Sequence, residues 1–175
     1  MKSISGIRGT IGGEPGTNLT PIDVVKFAAA YGSIILQKNN GKKIVIGRDA
    51  RMSGEMVSQL VTHTLIGLGA EVIDLGLSTT PTVEMAVVFE KAAGGIILTA
   101  SHNPKQWNAL KLLNDKGEFI SAEEGKQVLA LAESENIEFV AVDHLGSVRQ
   151  NDTSLEQHID AIMAHPYVHK TSVTN

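Results

Sequence analysis

Two patterns of apolar positions alternate along the first part of the chain. Stretches in which hydrophobic residues recur every three or four positions alternate with short, continuous apolar runs, which are typical of amphipathic helices and buried strands respectively. The predicted helices span residues 20–38, 53–68 and 80–89, and the predicted strands span residues 43–47, 69–76 and 94–98. This alternation predicts an α/β fold, a three-layer α/β/α domain with a mostly parallel, mixed sheet.

Capping signals refine the ends of these elements. Thr20 precedes a proline, and Asp23 lies in the first turn, which favours the start of a helix there. Residues 121–124 and 153–156 have the Ser/Thr-x-x-Glu pattern of a capping box and predict two further helices. Residues 114–117 have the composition of a hairpin turn between two short extended pieces.

The pattern changes after Glu133. Residues 134–152 are mixed in character, and an amphipathic helix with Leu155 and Ile159 on its apolar face follows, without obvious partners in the preceding domain. We therefore predict a domain over residues 1–135, a linker over residues 136–152 and the beginning of a second domain over residues 153–175. On this prediction the sequence is cut rather than finished.

Composition and charge narrow the classes of function. The chain has 175 residues, a net charge of −4 and 42% hydrophobic residues, which describes a globular protein and argues against a general nucleic-acid surface. It has no cysteine, which excludes disulfides and thiolate metal sites. No apolar run approaches the core of a signal peptide or the ~20 residues of a membrane helix, so we expect a cytoplasmic protein without a membrane partner.

A predicted strand ends directly in a polar turn at residues 99–104, Thr-Ala-Ser-His-Asn-Pro. The Ser101 hydroxyl is a weak nucleophile by itself, and in one interpretation His102 beside it is the base. In a second interpretation Ser101 carries a phosphoryl group, whose charge requires cations such as Lys111 or Arg8 nearby. The third interpretation is an ordinary turn, because serine and Asn-Pro are common turn residues. The residues alone leave these interpretations open.

Short motifs in the order of the chain resemble the signatures of one enzyme family. They are Ser-Gly-Ile-Arg-Gly at residues 5–9, Gly-Arg-Asp-Ala-Arg-Met-Ser at 47–53, Thr-Ala-Ser-His-Asn-Pro at 99–104 and Asn-Ala-Leu-Lys at 108–111. Together they resemble the amino-terminal domain I of the α-D-phosphohexomutases, the family of phosphoglucomutase, phosphomannomutase and phosphoglucosamine mutase. The departure is Ala109, where the family commonly has glycine, and it leaves the backbone path of the Lys111 segment open.

The resemblance implies roles for individual residues. Ser101 would carry the transferable phosphoryl group as a phosphoserine, and that phosphate would be one ligand of Mg²⁺. His102 and Lys111 would transfer protons to and from sugar hydroxyls, and Arg8 would bind the phosphosugar. The residues with supporting roles would be Arg48, Asp49 and Asn103.

The resemblance also implies an isomerase that acts by intramolecular phosphotransfer. It would interconvert hexose 1-phosphate and hexose 6-phosphate through a bisphosphate intermediate, with a phosphorylated hexose and the remaining domains of the same enzyme as partners. The family's Asp-x-Asp-x-Asp metal loop, sugar-recognition loop and carboxy-terminal phosphate loop are absent from this sequence. We therefore expect the chain alone to be inactive. The alternative is a non-catalytic module that keeps the domain I fold and a surface for sugar phosphates or a partner.

Two pairs of residues have structural rather than catalytic interpretations. Asp49 and Arg48 follow a predicted strand, and for Asp49 we favour an ion pair with Arg48 that holds the loop. His165 and His169 have the spacing of metal ligands on a helix, but Pro166 lies between them and no carboxylate completes a set. A histidine metal site is therefore not predicted.

Overall fold

The computed structural model describes residues 2–3, 6–39, 41–134 and 136–168, so Ser5 of the first motif and His169 lie outside the described residues. Its strands are β1 (Lys2–Ser3), β2 (Gly6–Thr10), β3 (Lys43–Arg48), β4 (Glu71–Leu77), β5 (Gly94–Leu98), β6 (Trp107–Leu113) and β7 (Ser147–Gln150). Its helices are α1 (Pro21–Asn39), α2 (Gly54–Gly67), α3 (Thr80–Phe89), α4 (Ala122–Ser134) and α5 (Ser154–Ala164), with a short 3-10 helix at Val142–His144.

The strands form one sheet in the order β1-β2-β6-β5-β3-β4-β7. β5, β3, β4 and β7 are parallel neighbours, whereas β6 lies antiparallel between β5 and β2. Within the described residues, β6 and β1 run against the common direction of the other strands. The prediction of a mostly parallel, mixed sheet is confirmed.

Helices cover both faces of this sheet. α1, α2 and α4 lie on one face, where Phe27 and Val61 join a buried cluster with Ile44. α3 lies on the other face, where Val83 packs with Val45. Every residue of β5 is buried, as expected for a strand that is covered on both sides. The three-layer α/β/α architecture is confirmed.

Side-chain caps fix where several helices begin. The predicted cap at Thr20 is confirmed, because its hydroxyl accepts a hydrogen bond of 3.4 Å from the backbone N–H three residues later. Ser121 and Glu124 form the predicted capping box, in which each backbone N–H donates to the other side chain, over 2.8 and 3.2 Å. The second predicted box is wrong. The Thr153 hydroxyl donates to Asn151 over 3.1 Å and makes no cap bond to α5.

The longest described helix, α1, has 19 residues and is tied to the sheet by Tyr31. The buried Tyr31 hydroxyl lies 3.1 Å from the carbonyl oxygen of Gly95 and 2.7 Å from that of Leu113. Burial raises the pKa of Tyr31 above its ordinary value. Among the helices of the described residues, neither α1 nor any other combines the length and the apolar character needed to cross a membrane.

Residues 147–150, which we predicted as part of a linker, form strand β7. This strand extends the sheet beside β4, with Val148 opposite Val72, and Arg149 makes an ion pair with Glu90 at 2.6 Å. The linker prediction is therefore wrong for this segment. Its four residues are all exposed, and Val148 is the single apolar residue among them. The segment therefore lacks the alternation of apolar and polar positions by which a half-buried strand is recognised.

Helix α5 packs against α3, although the sequence suggested no partner for it in the preceding domain. The His158 Nδ1 atom lies 3.0 Å from the hydroxyl of Thr82, which is buried on α3. The apolar side chains of Leu155 and Ile159 remain about half exposed, at 56% and 48%. The assignment of residues 153–175 to a second domain stays a prediction, and residues 169–175 lie outside the described residues.

Candidate functional site

A cavity of about 400 Å³ lies between β2, β6 and residues 99–106, which we call the serine turn. Its lining includes Arg8, Ser101, His102 and Lys111, to which the sequence analysis gave roles. The other lining residues are Gly6, Ile7, Thr99, Ala100, Ala109 and Leu110. Segments that lie far apart in the sequence therefore bring two cations, a hydroxyl and an imidazole to one open space.

Arg8 reaches this cavity from the middle of β2, where its side chain is exposed. The glycines that flank it allow close approach of backbone. A Cβ atom at Gly6 would lie 2.1 Å from the carbonyl oxygen of Leu110, and one at Gly9 would lie 2.8 Å from the backbone nitrogen of Leu19. The neighbours that require these glycines are β6 and the segment before α1.

Ser101 follows the end of β5 with a φ of +54°, in the left-handed region. For a residue with a Cβ atom that conformation costs about 1–2 kcal/mol, so other contacts have to stabilise the Ser101 backbone. The Ser101 N–H donates to the hydroxyl of Thr99 over 3.0 Å, and its carbonyl oxygen accepts from Arg51 over 2.7 Å. The backbone is thus held on both sides while the side chain remains exposed.

Ser101 and His102 do not form a close nucleophile and base pair. The distance from Oγ to Nδ1 is 3.5 Å, longer than the ~2.7–3.2 Å of a good hydrogen bond. The chain also turns after the serine and enters β6 at Trp107, whereas the nucleophile elbow of α/β-hydrolases needs a helix directly after it. The geometry disfavours the interpretation in which His102 is the base that activates Ser101 as a nucleophile.

Asp49 follows β3 and binds the serine turn through its carboxylate. Oδ2 accepts hydrogen bonds from the Thr99 hydroxyl over 2.6 Å and from Arg51 Nε over 3.1 Å, and Oδ1 accepts the Arg51 backbone N–H over 3.1 Å. The prediction of an ion pair between Asp49 and Arg48 is therefore wrong, because Asp49 pairs with Arg51. The tight Asp-x-Arg turn brings the Arg51 side chain back to the carboxylate, whereas Arg48 donates over 3.4 Å to the Asp49 carbonyl oxygen and does not line the cavity.

Arg51 is the residue whose importance the sequence analysis missed. Its guanidinium donates hydrogen bonds of 2.7–2.9 Å to backbone carbonyl oxygens of the serine turn, those of Ser101, Asn103, Pro104 and Trp107. The signal that was present is its place in the 47–53 motif, at the carboxyl end of a strand, where α/β sheets position functional loops. The sequence does not say which distant carbonyl groups such a side chain meets.

Two asparagines shape the turn. The backbone N–H and the Nδ2 of Asn103 both donate to the carbonyl oxygen of Ala100, over 3.0 and 2.7 Å. Asn103, for which we predicted a supporting role, therefore closes the turn and does not line the cavity. The fully buried Asn108 donates from Nδ2 to the Ser53 hydroxyl over 2.9 Å, so it joins β6 to the start of α2.

Ala109, the departure from the resembled motif, lies in a regular part of β6. It pairs with Arg8 across the antiparallel ladder, and its carbonyl oxygen accepts the backbone N–H of Thr99 over 3.2 Å. Its side chain is buried and takes part in the cavity wall. The alanine therefore fits the strand path that carries Lys111 to the cavity.

The ammonium group of Lys111 lies beside an aromatic ring and near a carboxylate. Its Nζ is 5.8 Å from the centre of the Phe119 ring, within the range of a cation–π contact. Burial raises the pKa of Glu84 above its ordinary value, and the charge of Lys111 offsets part of that rise. Lys111 lines the cavity, whereas neither Phe119 nor Glu84 does.

The described residues do not form a metal centre by themselves. Within ranges 2–3, 6–39, 41–134 and 136–168, no group of three His, Asp or Glu side chains is placed to hold a metal ion. The phosphate that the resemblance assigns to Ser101 would offer hard oxygen ligands, which suit Mg²⁺. Binding of Mg²⁺ at this site stays a prediction.

Comparison with known proteins identifies relatives of this chain. Residues 2–138 match the family model for phosphoglucomutase/phosphomannomutase, alpha/beta/alpha domain I. A phosphoglucomutase/phosphomannomutase of Thermococcus kodakarensis is 33% identical over 158 residues, which are 90% of this chain and 34% of that protein. A phosphoglucosamine/phosphogalactosamine mutase of Sulfurisphaera tokodaii is 30% identical over 171 residues, which are 97% of this chain and 36% of that protein.

A solved structure supports the fold. The phosphoglucomutase/phosphomannomutase family protein of Burkholderia thailandensis superposes with a TM-score of 0.74 at 24% identity, over 93% of this chain and 36% of that chain. The chain therefore spans about a third of the length of the curated relatives it matches.

Proposed function

The chain belongs to the phosphoglucomutase/phosphomannomutase family as its domain I, and from that membership we propose that it carries the catalytic serine of an enzyme that interconverts hexose 1-phosphate and hexose 6-phosphate. Ser101 is the phosphoryl carrier, and a hexose bisphosphate is the intermediate. The observation that carries the proposal is the cavity that Ser101 shares with Arg8 and Lys111. A phosphoserine with nearly two negative charges requires such cations.

The reaction has two halves. In the first, the bond from phosphorus to Ser101 Oγ breaks as phosphorus bonds to a sugar hydroxyl oxygen, and the hydroxyl proton ends on Ser101 Oγ. His102 and Lys111 line the cavity and are the titratable groups proposed to pass that proton. In the second half, Ser101 takes the other phosphoryl group from the bisphosphate and the proton returns to the sugar oxygen.

Binding and orientation are the main demands of this chemistry. Phosphoryl transfer has a loose, in-line transition state, so positioning and neutralisation of charge supply most of the catalysis. Arg8 is suited to hold a phosphate, because a guanidinium can bind it with two parallel hydrogen bonds. The bisphosphate has to present each phosphate to Ser101 in turn, and Arg8 would hold the one that is not reacting.

The proposal includes Mg²⁺, bound in part through the phosphate on Ser101. When bound, the ion neutralises charge on the transferring group. No cluster of three His, Asp or Glu side chains is found among the described residues, and we propose that the remaining domains supply further ligands. The proposed partners are the phosphorylated hexose and the remaining domains of the same enzyme.

The test uses the protein from the complete reading frame. Phosphorus NMR would follow conversion of glucose 1-phosphate to glucose 6-phosphate with a trace of glucose 1,6-bisphosphate, and mannose and glucosamine phosphates would be tried alongside. We expect Ser101→Ala to abolish turnover. Ser147→Ala is the matched control, because Ser147 is exposed on β7 at the other edge of the sheet. Full turnover by Ser101→Ala contradicts the proposal.

The cavity with Arg8 and Lys111 would serve one alternative function equally well. A non-catalytic module with the domain I fold would keep a sugar-phosphate surface without the rest of a catalytic site. Absence of turnover on each of the three sugar phosphates, together with calorimetric binding of a hexose phosphate to the chain, would replace the enzyme proposal with this one.

A further inference from the structure

The N–H groups of the Arg51 guanidinium are all used inside the protein. Nε donates to the Asp49 carboxylate over 3.1 Å. The four hydrogen bonds from the two Nη atoms, of 2.7–2.9 Å, go to the carbonyl oxygens of Ser101, Asn103, Pro104 and Trp107. A guanidinium has one such donor for each of these bonds, so none remains for a ligand. The Arg51 side chain is 10% exposed and does not line the cavity.

These bonds give carbonyl groups of the serine turn the hydrogen-bond donors that a helix or sheet would otherwise supply. Residues 99–106 connect β5 to β6 and belong to neither a helix nor a strand, so their carbonyl groups lack the partners that a ladder would supply. The Arg51 side chain donates to carbonyl oxygens from Ser101, near the start of the turn, to Trp107, the first residue of β6. Arg51 therefore stabilises the turn together with two backbone hydrogen bonds of 3.0 Å, from Asn103 N–H to Ala100 and from Trp107 N–H to Pro104.

Arg51 is itself fixed by a second set of bonds. Asp49 holds Nε and also accepts the Thr99 hydroxyl over 2.6 Å. Thr99 in turn accepts the Ser101 N–H over 3.0 Å. The backbone N–H and carbonyl oxygen of Ser101 are thus both tied to the Asp49 and Arg51 pair, and this holds the serine at its φ of +54°.

We propose that Arg51 is a positioning residue that holds the Ser101 backbone in place for phosphoryl transfer without touching the substrate. The inference rests on the proposed function and adds a residue to it. Phosphoryl transfer depends on alignment, and a displacement of about 1 Å can cost about 100-fold in rate. A residue that fixes the carrier therefore changes the rate of transfer while leaving the affinity for substrate unchanged.

Lysine cannot replace arginine in this role. Its ammonium is a compact point charge with three donors at one atom, whereas the guanidinium is a rigid planar fork. Arg51→Lys therefore keeps the charge near Asp49 and loses the bonds that span the turn. This variant separates the geometry of the side chain from its charge.

The kinetic test measures kcat and KM for hexose 1-phosphate in the protein from the complete reading frame. We expect Arg51→Lys to lower kcat by about 10- to 100-fold, because the carrier is misplaced, and to leave KM unchanged. Arg8→Lys, which alters a cavity cation, should raise KM instead. Arg149→Lys is the matched control, since Arg149 also pairs with a carboxylate, Glu90, but lies on β7 at the far edge of the sheet.

A second readout does not need activity. Trp107 is the single tryptophan of the sequence, and its carbonyl oxygen accepts a bond from Arg51. Acrylamide quenching of its fluorescence should increase in Arg51→Lys, under conditions where circular dichroism matches the wild type, and should stay unchanged in Arg149→Lys. In Arg51→Ala, added ethylguanidinium should restore both the low quenching and part of kcat.

The outcomes separate the two proposals. A raised KM with an unchanged kcat in Arg51→Lys overturns the inference, because Arg51 would then be a substrate ligand. Unchanged quenching together with unchanged kcat also overturns it. If the wild type has no mutase activity but Arg51→Lys increases the quenching, the proposed function fails while the role of Arg51 in holding the turn stands.

Discussion

The hydroxyl of Thr99 donates a hydrogen bond of 2.6 Å to the carboxylate of Asp49, fifty positions earlier in the sequence. The same oxygen accepts the backbone N–H of Ser101 over 3.0 Å. Thr99 therefore links the residue after β3 to the backbone of Ser101. The bond between Thr99 and Asp49 joins the loop after β5 to the loop after β3. These two strands are neighbours in the sheet.

Removing that hydroxyl should loosen the serine turn. Thr99→Val keeps the shape of the side chain but leaves the Ser101 N–H without its acceptor. It also removes one donor to Asp49, whose hydrogen bonds from Arg51 remain. We expect the free energy of unfolding to fall by about 1–3 kcal/mol, the cost of partners left unsatisfied. Urea unfolding measures the loss, and Thr99→Ser, which keeps the hydroxyl, should lose much less. Equal losses in both variants would contradict this explanation.

The left-handed backbone of Ser101 predicts an unusual order of stabilities. Glycine adopts a φ of +54° without the steric cost that alanine pays. Ser101→Gly should therefore be more stable than Ser101→Ala by about 1 kcal/mol. At Ser147, in the extended strand β7, the order should be reversed, because glycine weakens a strand. The thermal unfolding midpoints of the four variants test this prediction. The same order of stabilities for glycine and alanine at both sites would refute it.

The Tyr31 hydroxyl should contribute to stability through the strands that lead to the serine turn. Tyr31→Phe removes a buried donor from the carbonyl oxygens of Gly95 and Leu113. We expect a loss of about 1–3 kcal/mol in the free energy of unfolding. Tyr167→Phe is the matched control and should have no effect, because Tyr167 is 86% exposed. Urea midpoints that do not differ between the two variants would disprove the role.

Glu124 should make stability depend on pH in the acid range. The Lys38 ammonium and the Ser121 N–H lower the pKa of Glu124 from 4.5 to about 2. A lowered pKa in the folded state stabilises the protein above the ordinary pKa, and that contribution is lost as the pH falls from 4.5 towards 2. Glu124→Gln should therefore reduce stability at pH 7 and converge with the wild type near pH 2.

The measurement is the urea midpoint of each protein across that pH range. Glu123→Gln is the control, since Glu123 is 73% exposed and lies 4.0 Å from Lys126, where an ion pair contributes little. A wild-type advantage over Glu124→Gln that is constant from pH 7 to pH 2 would exclude the carboxylate as its source.

Part of this protein follows from local sequence. The helices from Thr20 and Ser121 begin where their caps predict, because a cap is a contact between residues three positions apart. The buried strand β5 and the polar turn after it follow equally from an apolar run that ends abruptly. The resemblance of the 99–104 motif likewise gave Ser101 its predicted role as phosphoryl carrier.

The tertiary structure decided which residues meet. The strand order places β2 and β6 beside β5, and so brings Arg8 and Lys111 to the serine. It also assigned Asp49 to Arg51 rather than Arg48, and made an edge strand of residues 147–150, whose exposed side chains carry no periodic signal. Sequence patterns report the periodicity of one segment, whereas the contacts of β2 with β6, of β4 with β7 and of Arg51 with Ser101 join segments that are about fifty or more residues apart.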